Sequence, residues 1–92
     1  MTKLTEIEIK DVLATHSDWT LDRGVLAREW TFKDFTEAME FVNRIAALAE
    51  TAGHHPDIEI RYSNVRLSLV SHDAGGLTER DASLATRIDA EF

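Results

Sequence analysis

The chain has no cysteine among its 92 residues. That excludes disulfide staples, thiolate nucleophiles and cysteine-based zinc sites together. It has no apolar run approaching the roughly 18 residues of a membrane span. The opening Met1-Thr2-Lys3-Leu4-Thr5-Glu6 lacks the apolar stretch of a signal peptide. Basic residues are few: ten Lys and Arg stand against seventeen Asp and Glu, for a formal net charge of −7. This balance argues against unaided binding to nucleic acid or to an anionic membrane. No basic stripe with interleaved aromatics reverses it. Internal repeats, linkers and low-complexity segments are also missing. The expected setting is the cytoplasm, with neither nucleic acid nor membrane as partner.

The hydrophobic fraction of 43% and charged fraction of 29% are those of an ordinary globular protein. The length suits one domain spanning residues 1–92, large enough for a real core. Three pairs have capping-box spacing at helix starts: Thr5 with Glu8, Asp34 with Glu37, and Thr78 with Asp81. They predict helices over about Glu6–Thr15, Phe35–Ala52 and Glu79–Ala90. In the second helix Phe35, Ala38, Met39, Val42, Ile45, Ala46 and Ala49 recur at helical spacing. Phe41, Leu48 and Ala52 widen this apolar face beyond the stripe a surface helix needs. Either a deep groove in the same chain covers the excess, or Phe41 and Leu48 pack against another subunit.

Between the helices lie two hairpin patterns. Trp19-Thr20-Leu21 and Val25–Phe32 flank the turn Asp22-Arg23-Gly24, and Ile58–Tyr62 and Val65–Ser71 flank Ser63-Asn64. Val65, Leu67 and Leu69 alternate with Arg66 and Ser68, as in a sheet covered on one face. The predicted fold is α+β, in the order α-β-β-α-β-β-α, with a four-stranded antiparallel sheet and three helices on one face. Trp19 and Trp30 read as core, and His16 as a helix-end residue outside any constellation.

The candidate chemistry lies in the histidines. Glu50 precedes Gly53-His54-His55-Pro56 by one helical turn, and His72 follows the last strand, before Asp73-Ala74-Gly75-Gly76. Histidine titrates near neutrality and serves as acid or base. Gly53 permits a chain reversal, and Pro56 pushes His55 toward an extended conformation. Three histidines and Glu50 also suggest zinc, but adjacent histidines suit one tetrahedral ion poorly and HExxH is absent. No serine lies in a nucleophile elbow. Metal-free acid–base chemistry on a small molecule is the leading expectation, and a polar surface pair is its rival.

The stretch Glu50-Thr51-Ala52-Gly53-His54-His55-Pro56, then Tyr62, Val65, Leu67, Leu69 and Ser71-His72, resembles the pterin-4a-carbinolamine dehydratase family. The match continues through Gly76-Leu77-Thr78 to Asp81. Trp19 and the run Trp30-Thr31-Phe32-Lys33-Asp34-Phe35 agree more loosely. The resemblance implies a dehydratase with no cofactor and no metal, acting on 4a-hydroxytetrahydrobiopterin to give quinonoid dihydrobiopterin and water in pterin recycling. It implies His54 and His72 as the acid–base pair and His55 as an orienting residue that assists. Glu50 becomes a pocket carboxylate, and Gly53 with the segment Val70, Ser71, His72 and Asp73 borders the pterin. Arg80 and Asp81 match positions near the pocket, although capping accounts for them. The expected partners are the pterin and further copies of the chain, as a homodimer or homotetramer through Phe41 and Leu48 of helix two. The alternative is a non-catalytic interaction module, like relatives that serve as transcription dimerisation cofactors. Two departures stand out: Gly53 replaces an acidic residue of many relatives, and Ile58 replaces a tryptophan of some.

Overall fold

A computed structural model describes residues 2–92. The elements run α1 (Glu6–Thr15), β1 (Thr20–Asp22), β2 (Val25–Thr31), α2 (Phe35–Ala52), β3 (Asp57–Arg61), β4 (Asn64–Leu69) and α3 (Glu79–Glu91). A single 3-10 turn, His72–Ala74, lies between β4 and α3. The four strands form one antiparallel sheet in the order β1-β2-β4-β3. This is the α+β architecture expected, and the three helices begin where their caps predict. Thr5 and Glu8 form a reciprocal capping box, as do Thr78 and Asp81. At α2, Asp34 accepts from the Glu37 amide at 2.9 Å, but the Glu37 carboxylate accepts from the Lys33 N–H rather than from that of Asp34. Each such cap contributes about 1 kcal/mol.

The covered face of the sheet follows from alternation along β4. Val65, Leu67 and Leu69 are fully buried, whereas Arg66 and Ser68 turn to the open face. On that face Arg66 pairs with Glu29 of β2 and Asp22 of β1. The core sets these aliphatics and Leu26 against Ala38, Val42 and Ile45 of α2 and Leu84, Ala85 and Ile88 of α3. Trp19 is buried in it, and Trp30 packs against it. Burying each large aliphatic side chain stabilises by about 1.5–3 kcal/mol. By contrast α1 has no fully buried residue. It leans on the core through Ile9, Val12 and Leu13, and its amino-terminal lead-in is held by a bond from Leu4 N–H to the Leu77 carbonyl.

Of the residues that widen the α2 face, Phe41 and Leu48 are covered within the chain, whereas Ala52 is exposed. Phe41 is only 5% exposed, with its ring 4.7 Å from Trp30, 5.0 Å from Phe32 and 4.9 Å from Phe92. Leu48 is 8% exposed. Their burial therefore requires no second subunit, and of the two readings the groove within one chain accounts for both side chains.

Several hairpin details differ from the sequence reading: in the first, Asp22 belongs to β1 and pairs with Val25, so the turn is Arg23-Gly24 alone. The second turn is Tyr62-Ser63, one residue earlier than Ser63-Asn64, with Tyr62 at φ 52°. The reason lies in a third strand: Asn64 pairs with Thr31 of β2, and its side-chain amide donates to Thr31 Oγ1 at 3.0 Å. Also, β4 stops at Leu69 rather than Ser71. Ser71 instead bridges Gly76, its N–H donating to the Gly76 carbonyl and the Gly76 N–H returning to it. His16 does cap α1, but it also belongs to a polar clamp on Asp89 of α3. Among the described residues no helix is long and apolar enough to cross a membrane.

Candidate active site

The site starts from the way α2 ends. Gly53 adopts φ 66°, the left-handed region that a side chain enters only with strain. Its N–H donates to the Glu50 carbonyl and that of His54 to the Ala49 carbonyl, which closes the helix. The backbone of His54 is thus fixed by the cap itself. Pro56 follows immediately and leads into β3. This irregular turn sends the adjacent histidines to different carboxylates.

His54 is largely buried, its side chain 12% exposed, and its Nε2 lies 2.6 Å from Asp81 Oδ1. Asp81 is completely buried in the first turn of α3. Its other oxygen, Oδ2, accepts from the Thr78 N–H and from Ser71 Oγ, each at 2.9 Å. One carboxylate therefore caps the helix with Oδ2 and holds His54 with Oδ1. An ionised carboxylate only accepts hydrogen bonds, so the Nε2–H of His54 points to it and Nδ1 of the neutral ring carries the lone pair. His54 also lines a cavity of about 240 Å³ with Ala52, Glu79, Arg80, Ser83, Leu84 and Arg87. That is smaller than the roughly 300–1,000 Å³ of most ligand pockets.

His55 turns away to Glu50, which binds its Nε2. Both side chains are mostly exposed, at 63% and 77%, so the pair adds little stability. Glu50 near the negative end of the helix dipole is explained by this partner. His72 is exposed and opens the 3-10 turn, where its carbonyl accepts from Gly75 N–H. Neither His55 nor His72 is among the residues that line the His54 cavity. The segment carrying His72 is nevertheless fastened to the same helix turn. Ser71 reaches Asp81, and Asp73 binds the Arg80 guanidinium. That hydrogen bond, more than the charge of Arg80, holds the Asp73 carboxyl below its ordinary value despite some opposing desolvation. Val70 is half-buried and Gly53 exposed. Among the described residues no group of three or more His, Asp and Glu side chains is gathered as metal ligands are.

The resemblance placed Asp81 near the pocket, but from the residues themselves it read only as a cap, and its bond to His54 was not foreseen. A signal was present, because the return residue of such a box is normally Glu or Gln and here it is the shorter Asp. The pairing with His54 spans 27 residues, beyond any local pattern.

A family model for pterin 4 alpha carbinolamine dehydratase matches residues 2–91. The chain belongs to the pterin-4a-carbinolamine dehydratase family. A relative from Acidobacterium capsulatum, named for this dehydratase, is 53% identical over 90 residues, covering 98% of both chains. One from Chloroflexus aurantiacus is 52% identical over 89 residues, covering 97% of this chain and 96% of its own. Among solved structures, the transcriptional coactivator/pterin dehydratase from Brucella melitensis superposes with a TM-score of 0.89 at 32% identity, covering 97% of each chain. A pterin dehydratase-like protein, identified as a RuBisCO assembly factor in the alpha-carboxysome, gives 0.61 at 26% identity over 78% of this chain and 83% of its own. The dehydratase similarity thus runs through the whole fold as well as the histidine segment.

Proposed function

We infer that this chain dehydrates a pterin 4a-carbinolamine, with 4a-hydroxytetrahydrobiopterin as the substrate. The observation that carries the reading is the carboxylate-held His54 beside a cavity, in a chain of this family. Dehydration breaks the C4a–O bond as a proton reaches the departing oxygen. The N5–H proton leaves to a base, and its electron pair forms the C4a=N5 bond of the quinonoid dihydropterin. Water carries away the hydroxyl with the added proton. His54 and His72 serve as the two proton-transfer groups, and Asp81 stabilises the imidazolium whenever His54 holds both protons. His55, paired with Glu50, orients the substrate with Gly53 and the Val70–Asp73 segment along its border. General acid–base catalysis by each positioned group contributes about 10²–10⁴-fold.

The test follows the decay of a hydroxylase-generated carbinolamine by absorbance. The wild type accelerates decay over the spontaneous reaction, and His54→Ala and His72→Ala each lose most of that acceleration while remaining folded. An unaccelerated decay with wild type defeats the reading, and full activity in both variants defeats the assignment.

The coactivator relationship supports a second reading in which the outer face of α2 binds protein, including further copies of this chain. That face bears Arg44, Ala47 and Thr51 beside Arg87 and Glu91 of α3. Because Phe41 sits in the core, Ala47→Glu is the cleaner probe, and an unaltered sedimentation profile removes this face as the interface.

A further inference from the structure

The hydroxyls behind Asp81 form a chain whose direction can be assigned. Ser71, Thr78 and Asp81 are buried polar residues at 1%, 0% and 0% exposure. Ser71 Oγ lies 2.9 Å from Asp81 Oδ2 and 2.8 Å from Thr78 Oγ1, and the Arg80 N–H donates to Thr78 Oγ1 at 3.2 Å. An ionised Asp81 has no hydrogen to give, so Ser71 spends its only one on Oδ2. Ser71 oxygen then accepts from the Thr78 hydroxyl, whose own oxygen accepts from Arg80 N–H. Every proton in the chain runs toward the carboxylate that holds His54. Hydrogen bonds aligned in this way polarise one another, most strongly where water is excluded.

We propose that Ser71 is a positioning residue which sets the proton affinity of His54 through Asp81. Its donated hydrogen bond draws charge from the carboxylate toward Oδ2 and thereby weakens the pull of Oδ1 on the imidazolium. Without that donor Asp81 stabilises protonated His54 more strongly. The remaining charges around His54 are Glu79, Arg80 and Arg87 of α3 at the cavity. Glu50 of α2 is bound to His55, and Asp73 of the 3-10 turn to Arg80. None of these touches Ser71 Oγ, so its removal acts through Asp81. The inference rests on the dehydratase reading only for what the proton is used for.

Nitrogen-resolved NMR titration of the His54 ring tests this in the free protein. In Ser71→Ala the His54 midpoint is expected to rise by about half to one pH unit, and in Ser71→Thr to return to the wild-type value. Ser71→Cys keeps the volume with a weak donor and is expected to rise by less; it serves if the alanine variant does not fold. An unchanged midpoint and tautomer in folded Ser71→Ala, or in Ser71→Cys when that variant alone folds, overturns the proposal. Dehydration measured on the same samples separates the two claims. A shifted His54 in a protein that never accelerates carbinolamine decay supports the role of Ser71 and removes the dehydratase reading alone.

Discussion

Asp89 Oδ1 accepts the indole N–H of Trp19 at 2.8 Å, which fastens the last turns of α3 to the residue that opens the first hairpin. The same oxygen takes the Arg28 guanidinium at 2.7 Å, and Oδ2 takes Nδ1 of His16 at 2.7 Å. Trp19 just ahead of β1, Arg28 of β2 and His16 at the end of α1 thus converge on one carboxylate of α3 that is only 22% exposed. Asp89→Ala strands a buried indole N–H and a guanidinium together, and is expected to cost about 2–3 kcal/mol. Urea unfolding measures this, and Asp89→Asn, which keeps one acceptor, loses less.

Asp81→Asn separates the two jobs of its side chain. The amide oxygen still accepts from Thr78 N–H, so α3 keeps its cap. The amide nitrogen, however, offers a hydrogen to His54 Nε2 and selects the opposite tautomer. Dehydration is expected to fall by at least about 10²-fold with the helix intact by circular dichroism. Asp81→Ala loses the cap as well and is destabilised by about 2–4 kcal/mol, read from its unfolding midpoint.

At Gly53 the cost of a side chain is conformational, since a Cβ there meets nothing within 4 Å at φ 66°. Gly53→Ala is expected to lose about 1 kcal/mol of stability, and Gly53→Asp or Gly53→Asn less, because their short polar side chains tolerate the left-handed region. Calorimetric melting temperatures rank the three. Gly53→Asp also places a carboxylate beside the histidine pair, and its histidine titrations are expected to move upward.

The Asp73–Arg80 pair gives a pH dependence of known sign. The folded carboxyl is depressed below its ordinary value of about 3.8. Its stabilising contribution is therefore fully present above that value and disappears as pH falls through the lower folded one. The stability difference between wild type and Asp73→Asn is expected to hold constant from neutrality to about pH 4 and to vanish in stronger acid. Because the carboxylate is exposed, added salt shrinks the difference throughout.

The helices were legible because their signals are local. Thr5, Asp34 and Thr78 mark the starts, and Gly53 ends α2, through bonds spanning three to five residues. The alternation of Val65, Leu67 and Leu69 likewise exposed the sheet face. The Tyr62-Ser63 turn was missed because β2 decides it by recruiting Asn64 to Thr31. His54, His55 and His72 were visible as residue types and through their spacing. Their partners were not, since Asp81 and Ser71 reach the site by tertiary contact and read locally as a cap and a strand residue. The width of α2 was equally ambiguous, because periodicity reports an apolar face without naming the neighbour that covers it.

The buried carboxylate of Asp81 makes helix initiation and site assembly one cooperative event. Fraying the first turn of α3 releases His54 and loosens the segment that carries His72 in the same step. A natively started α3 leaves the His54 ring already aimed and its tautomer chosen, so no reorganisation of that group remains when a substrate arrives. On the dehydratase reading, partly folded molecules that lack this turn are expected to be silent, so that turnover would count only chains whose last helix has formed from its first residue.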